Sequence, residues 1–249
     1  MEALLFIGHG SRVKKGVRQA LDFMKKCTDD LDVPIREFCF LELAEPSIEE
    51  GMARCVERGA DHITVLPLLL LEAGHAKRDI PLELQKAQQH YPHIQVNYGK
   101  PFGVHTAIID ILIERIHEQG RIKDDDSVLI VGRGSSDPGI KDDFAEIVRL
   151  LKRKYSCHKV QTSYLAAAQP RFEDVVDQLR TVESSQIFVV PYLLFTGVLM
   201  NDMRREITEA NRDGKARFVL CDSLGYHPNF KKVVRERVAE ATRLARWVI

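Results

Sequence analysis

Short apolar runs rich in β-branched and aromatic residues recur along the chain, separated by longer stretches of helical period. In the first half the runs are Leu4–Ile7, Ile35–Leu43, Ile63–Leu71 and Ile94–Tyr98. In the second they are Val128–Val131, Val160–Leu165, Ile187–Phe195 and Phe218–Cys221. Between them, a segment such as Ser47–Arg58 brings Ile48, Met52, Cys55 and Val56 onto one helix face. Near-continuous apolar strands alternating with helices predict parallel sheets covered on both faces, joined by right-handed crossovers. The pattern therefore predicts an α/β protein of two tandem doubly wound parallel-sheet domains, flavodoxin-like or Rossmann-like, with a cleft between them. The polar, glycine-broken stretch His117–Ser127 is the natural linker, which puts the domains at 1–120 and 121–249.

The two halves also repeat in detail. GHGSR at Gly8–Arg12 becomes GRGSS at Gly132–Ser136, and FLELAEPSIEE at Phe40–Glu50 becomes YLAAAQPRFED at Tyr164–Asp174. ITVLPLLLLEAGH at Ile63–His75 becomes IFVVPYLLFTGVL at Ile187–Leu199. One offset of 124, from Gly8 to Gly132, aligns all three without a gap. It preserves Gly8, Gly10, Ser11, Ala44, Pro46 and Pro67, but turns His9 into Arg133, Glu42 into Ala166, Glu45 into Gln169 and His75 into Leu199. Residues that shape a backbone are kept; residues that bind metals or move protons are lost. GHGSR, ELAEPS and EAGHAKRD each follow a predicted strand, and in open α/β sheets ligands bind beyond the carboxyl ends of the strands. Positions 9, 42–45 and 75 are thereby expected in one crevice.

Composition narrows the chemistry. Lys plus Arg equals Asp plus Glu at 36 each, so no global field draws the chain to nucleic acid or membrane. The opening apolar residues are too few for a signal segment, and no apolar run approaches the roughly 18 residues of a membrane span. Five scattered cysteines (27, 39, 55, 157, 221) without a CxxC pair exclude a local iron–sulfur or structural zinc motif. They suit a reducing compartment, so a cytoplasmic setting is expected. The chain lacks the phosphate-loop motif GxxxxGKS/T, GxGxxG after a strand, HExxH and a GxSxG nucleophile elbow. ATP-driven work, dinucleotide chemistry and zincin or serine hydrolysis lose their usual support.

Each candidate residue also has an ordinary explanation. A strand-to-helix turn needs only the two glycines around His9, and GRGSS keeps that turn without the histidine, which points to a ligand or base role. A lone histidine such as His75 is more often solvated, yet Leu199 shows that the fold does without it. Glu42, read as part of a strand amid Phe40, Leu41 and Leu43, is costly there unless paired or ligating. Glu45 precedes Pro46, which suits a first helical position, and can be an ordinary acid at a helix N-terminus. Glu42 is the better candidate and Glu45 a ligand-contacting neighbour. His105 and His227 occupy similar places in the two halves and suggest a structural or capping task; His62, His90, His93, His117 and His158 read as solvated. Arg12, Lys14, Lys15, Lys77 and Arg78 cluster beside the candidate loops, and Arg133, Arg204 and Arg205 are offered by the second half. Lys14 and Lys15 fit a plain solvated helix face, whereas clustering at two loops also fits a ligand rich in carboxylates.

Taken together, GHGSR, FLELAEPSI, VLPLLLLEAGHAKRDIP, GRGSSDP and VVPYLLFTGVLMNDM resemble the sirohydrochlorin chelatases of the class II chelatase superfamily, in the long form with two fused chelatase-type domains. The likeness runs from Leu4 to about Phe230. It implies a lyase that inserts a divalent metal into sirohydrochlorin without ATP, giving siroheme with Fe²⁺ or a cobalamin precursor with Co²⁺. It places the paired metal-binding histidines at His9 and His75, the motif glutamate at Glu42 or Glu45, and the tetrapyrrole-contacting segment at Leu70, Leu71, Glu72, Ala73 and Gly74. No His-rich or Cys-rich tail is seen, so no metal store or cluster is expected, and no cofactor beyond the divalent metal itself (Fe²⁺, Co²⁺ or Ni²⁺). The partners implied are the tetrapyrrole and the metal, with neither nucleic acid nor membrane.

The chemistry is coherent with that resemblance. Imidazole suits iron, cobalt and nickel, and a carboxylate adds charge compensation. Two histidines and a glutamate leave positions open for macrocycle nitrogens, and imidazole's ordinary pKa of about 6.5 suits it to accept pyrrole protons. Arg12, Lys77 and Arg133 are placed to hold substrate carboxylates, and Leu68–Leu71 and Leu193–Phe195 to wall the ring. Two rival classes remain: a non-catalytic tetrapyrrole or metal carrier, and a phosphate-ligand enzyme using both glycine turns as anion cradles. The choice of metal is not written in the sequence, because the affinity order favours later metals than Fe²⁺.

Overall fold

The computed structural model describes residues 1–155, 159–182 and 186–243; Cys157 and His158 lie outside them. All eight apolar runs are strands: β1 Glu2–Gly8, β2 Ile35–Phe40, β3 His62–Pro67, β4 Gln95–Tyr98, β5 Ser127–Gly132, β6 Val160–Tyr164, β7 Ile187–Tyr192 and β8 Phe218–Leu220. The helices are α1 Lys14–Thr28, α2 Ile48–Glu57, α3 Ile80–Gln89, α4 Thr106–His117, α5 Gly139–Lys154, α6 Phe172–Leu179, α7 Val198–Asp213 and α8 Asn229–Arg243, with a π-helical turn His75–Asp79 leading into α3.

The strands form two parallel sheets with the orders β2-β1-β3-β4 and β6-β5-β7-β8. Their registers repeat at the same offset, Leu4 facing Thr64 in the first sheet and Val128 facing Phe188 in the second. In each sheet the connections diverge between the first and third strands, the switch point at which such sheets bind ligands. Three apolar runs extend three or more residues beyond their strands. β2 stops at Phe40 and β3 at Pro67, the partners of Gly8 and Ile7, because β1 turns away at Gly8 and leaves nothing further to pair with. β7 ends at Tyr192, opposite Gly132, for the same reason. The residues left over, including Leu41–Leu43 and Leu68–Leu71, become the loops above the sheet.

Each sheet is covered by its own core. Leu5, Ile7, Ile63 and Val65 pack with Met52, Ile80 and Leu84 in the first, and Val131, Val189, Phe172 and Met203 meet in the second. Cys27, Cys39, Cys55 and Cys221 are buried and free. Desolvation pushes the thiols of Cys27, Cys55 and Cys221 up to about 12, so they pack as small apolar groups. Among the described residues no helix is long and apolar enough to cross a membrane.

The compact units do not follow the expected division at residue 120. One unit comprises Met1–Gly103 and the chain from Pro228; the other is Val104–His227. Helix α8 packs on α1, β3 and β4, while α4 packs on α5 and β7. The cause is side-chain complementarity. Phe230 of α8 meets Phe23 at 5.0 Å and Phe102 at 5.3 Å between ring centroids. Arg237 donates to the carbonyls of Pro101 and Phe102, and Lys231 pairs with Asp29 at 2.6 Å. In the other unit α4 buries Ile108, Ile109, Ile111, Leu112 and Ile116, and Asp110 pairs with Lys154. His105 caps α4, its Nδ1 accepting from the Ala107 amide at 3.0 Å, and His227 pairs with Glu114 at 2.8 Å. Helical periodicity reveals the apolar face of α4 or α8, but not the sheet that receives it.

Candidate metal centre

The site is built on the loop that leaves β1. Gly10 has φ of +97°, and a Cβ there would lie 1.7 Å from the carbonyl oxygen of Glu42. The loop can therefore press against the chain leaving β2 only if this residue is glycine. Two backbone bonds lace the loops together, Leu41 N to Gly8 O at 2.9 Å and Glu42 N to His9 O at 3.1 Å. His9 and Glu42 are thus neighbours by construction. The second unit repeats the frame: Gly134 at φ +88° would clash with Ala166 O at 1.8 Å, and Ala166 N donates to Arg133 O at 2.8 Å. Leu43 and Ala167 share a positive φ, of 63° and 53°.

His75 arrives from the third strand. It opens the π-helical turn, closed by the amide of Ile80 donating to His75 O. The turn is held to the sheet by Tyr98 at the end of β4, whose hydroxyl donates to Ala76 O at 2.7 Å. Burial, and then the charge of Glu72, push that phenol's pKa up, so it remains a donor. At the matching place in the second unit α7 starts at Val198 as an α-helix, and Leu199, aligned with His75, packs on the core.

The three side chains meet. One ligand-capable atom each from His9, Glu42 and His75 lies within 4.8 Å of the others. The His9 and His75 Nε2 atoms are 3.1 Å apart, and His9 Nε2 is 3.5 Å from Glu42 Oε1. Two nitrogens 3.1 Å apart, each about 2.1 Å from a shared ion, would subtend about 95° at it. The Nδ1 sides of both rings face oxygen: Gly10 O is 3.3 Å from His9 Nδ1, and Asp79 Oδ2 is 2.9 Å from His75 Nδ1. With the protons on Nδ1, both Nε2 lone pairs converge on one point, an arrangement relieved by a cation. The His9 side chain is 22% exposed and that of Glu42 50%, so the cluster opens to solvent on one side.

The remaining expected residues are less tightly drawn in. Glu45 is exposed, and its carboxyl turns to Glu50 and the start of α2; contact with Glu50 pushes its pKa up. Pro46 is not the first helical residue. Ser47 caps α2 in a full capping box with Glu50, and Pro46 lies outside the helix after a cis bond. Glu42 likewise is not in a strand, since β2 ends at Phe40; its half-exposed carboxylate needs no burial argument. Leu70 gives its carbonyl to the Gly103 amide at 2.8 Å, Leu71 is buried, Ala73 and Gly74 are half-buried, and Glu72 is exposed. Arg12 and Lys77 are exposed in the first unit, and Arg133 in the second. Sequence reasoning missed Asp79 and Tyr98. The internal repeat carried a signal for both, since Asp79 aligns with Met203 and Tyr98, through the strand register, with Leu220.

Comparisons with known proteins identify the family. The CbiX family model matches twice, over residues 3–119 and 127–241. The chain is 49% identical over 239 residues to the sirohydrochlorin ferrochelatase of Priestia megaterium, covering 96% of this chain and 90% of that one. It is 34% identical to the sirohydrochlorin cobaltochelatase of the same organism, over 96% and 80% of the two chains. Among solved structures, SirB from Bacillus subtilis with Fe³⁺ matches at a TM-score of 0.90 with 39% identity, over 97% of this chain and 96% of that one. With two family matches on two sheets of one topology, the chain belongs to the CbiX family as a tandem pair of its domains.

Proposed function

We propose that this chain is a sirohydrochlorin chelatase that inserts Fe²⁺ into sirohydrochlorin without ATP. The observation that carries the reading is the convergence of His9, Glu42 and His75 at the switch point of the first sheet, on a side open to solvent. A relative named for iron at 49% identity, against one named for cobalt at 34%, favours iron as the metal. Cobalt insertion is the second reading, since the donor set suits either ion. A cytoplasmic setting, with no cofactor besides the metal substrate, belongs to the same reading.

The chain's residues would divide the work simply. His9, His75 and Glu42 hold the incoming ion by three donors on one side and leave the opposite side to the macrocycle. As ring nitrogens replace the protein donors, two pyrrole N–H bonds break and the metal takes their place. The two protons go to the imidazole Nε2 atoms released from the ion, and the charge balances without a redox step. The segment Leu70–Gly74 faces the ring, and Arg12 and Lys77 pair with its carboxylates. In the second unit the exposed Arg133 replaces a metal-binding group by a cation.

Purified protein mixed with sirohydrochlorin and Fe²⁺ or Co²⁺ tests this by visible absorbance. Acceleration over a protein-free control is expected, faster with the physiological metal. Tight binding of ring or metal with no acceleration would instead establish a carrier.

A further inference from the structure

A second contact stands behind the metal cluster. Asp79 Oδ2 lies 2.9 Å from His75 Nδ1, and Asp79 Oδ1 takes the Nε proton of Arg78 at 2.9 Å. Both residues lie on the π-helical turn whose carbonyl at Ala76 is tied down by Tyr98. With Oδ1 accepting from the Arg78 guanidinium and Oδ2 facing Nδ1, the carboxylate acts as an acceptor on both sides. The proton between Asp79 and His75 therefore belongs to Nδ1, and the lone pair of His75 belongs to Nε2, the atom facing His9. The second unit, which has no histidine here, carries the fully buried Met203 at the aligned position.

We propose that Asp79 is a positioning residue for metal delivery: it fixes the tautomer and ring orientation of His75. A π turn inserted in a helix is a recurrent mark of functional sites, and among the described residues it appears only in the unit that keeps the histidine. Ligating histidines are commonly held in this way by a carboxylate, whose loss typically costs about 10–100-fold in metal affinity or activity. Arg78 balances the Asp79 charge from a side chain that is 75% exposed, so the carboxylate keeps its place without burial.

This inference rests on reading His9, Glu42 and His75 as the metal cluster, and the test separates the two. Co²⁺ serves as the probe, through titration and its visible ligand-field bands, in the full-length chain, with Asp79→Leu, Asp79→Asn, His75→Ala and the double variant His75→Ala/Asp79→Leu. Asp79→Leu is expected to weaken Co²⁺ binding about 10–100-fold and shift the bands. Asp79→Asn, which still accepts from Nδ1, should lose less. In the His75→Ala background Asp79→Leu should add nothing, a non-additivity that general loss of structure would not produce. Equal losses from Asp79→Leu with and without His75, or wild-type affinity and bands in Asp79→Leu, would overturn the proposal. Wild-type Co²⁺ affinity in His75→Ala would overturn the metal cluster itself. Long-range ¹H–¹⁵N correlations of the apo protein give an independent reading: a proton on Nδ1 of His75 in the wild type, and a mixture of tautomers in Asp79→Leu.

Discussion

The chain leaves β1 through Gly8-His9-Gly10 and leaves β5 through Gly132-Arg133-Gly134, and the two exits have one backbone and different chemistry. In both, a glycine at positive φ lies against the carbonyl of the next loop, and the same two amide bonds tie the loops together. In the first unit the frame carries His9, Glu42 and, from the third strand, His75. In the second it carries Arg133, Ala166 and Leu199. The frame therefore holds the places of the cluster but does not create it. Three side chains, with Asp79 behind one of them, make the difference.

The sharpest way to break this comparison is to remove the cluster from one side only. His9→Ala and His75→Ala should each slow metal insertion about 100-fold or more, since under the proposed function each removes both a metal donor and a proton acceptor. Leu199→Ala should leave Co²⁺ affinity unchanged in the same titration. Equal effects in the two units would favour paired anion cradles over a single metal site.

Next come the glycines that both units share. Gly10→Ala and Gly134→Ala each force a Cβ into a backbone carbonyl at a positive φ, and should each cost about 3 kcal/mol or more of stability, read by calorimetry. Comparable losses would place the frame in both units. A loss at Gly10 alone would mean that the second loop is not under the same constraint.

The helix starts differ more gently. Ser47 caps α2 through a capping box, while α6 has Arg171 at its N-cap position with no side-chain cap. Ser47→Ala should cost about 1 kcal/mol in denaturant unfolding, whereas Arg171→Ala should cost less.

The smallest effect concerns Glu45, whose counterpart is Gln169. Contact with Glu50 raises its pKa in the folded chain, so its stabilising contribution is present below the unfolded pKa and is lost as pH rises through the folded one. Glu45→Gln should therefore raise the thermal midpoint slightly at pH 7, with the gain vanishing near about pH 4, where the carboxyl protonates anyway. A midpoint that drops at neutral pH would show that the Glu45 charge is needed where it stands.

How much of this was legible beforehand follows from the range of each signal. Eight apolar runs predicted eight strands, because burial on both faces leaves its mark on every residue of a parallel strand. The strand ends were misread at Leu43 and Leu71, because an apolar run does not reveal where its partner turns away. The internal alignment singled out His9 and His75, since a duplicated fold displays which residues it does not need. Glu42 and Glu45 could not be separated by that comparison: both change between the halves, and only the loop geometry shows that one carboxyl faces His9 and the other Glu50. Asp79 and Tyr98 escaped notice because an aspartate four residues past a histidine, or a tyrosine ending a strand, is unremarkable until the turn between them is built.

The sequence by itself determined the class of fold, its duplication and which two histidines the second half lacks, because strand burial, helical period and internal repetition are properties of local segments. The tertiary structure alone decided which glutamate stands beside them, that a carboxylate orients His75, and that α4 and α8 serve units other than those their order suggests. These outcomes depend on contacts between residues far apart in the chain, such as Phe230 on Phe23 or Glu42 beside His9. Side-chain complementarity across such distances has no period for a linear pattern to record.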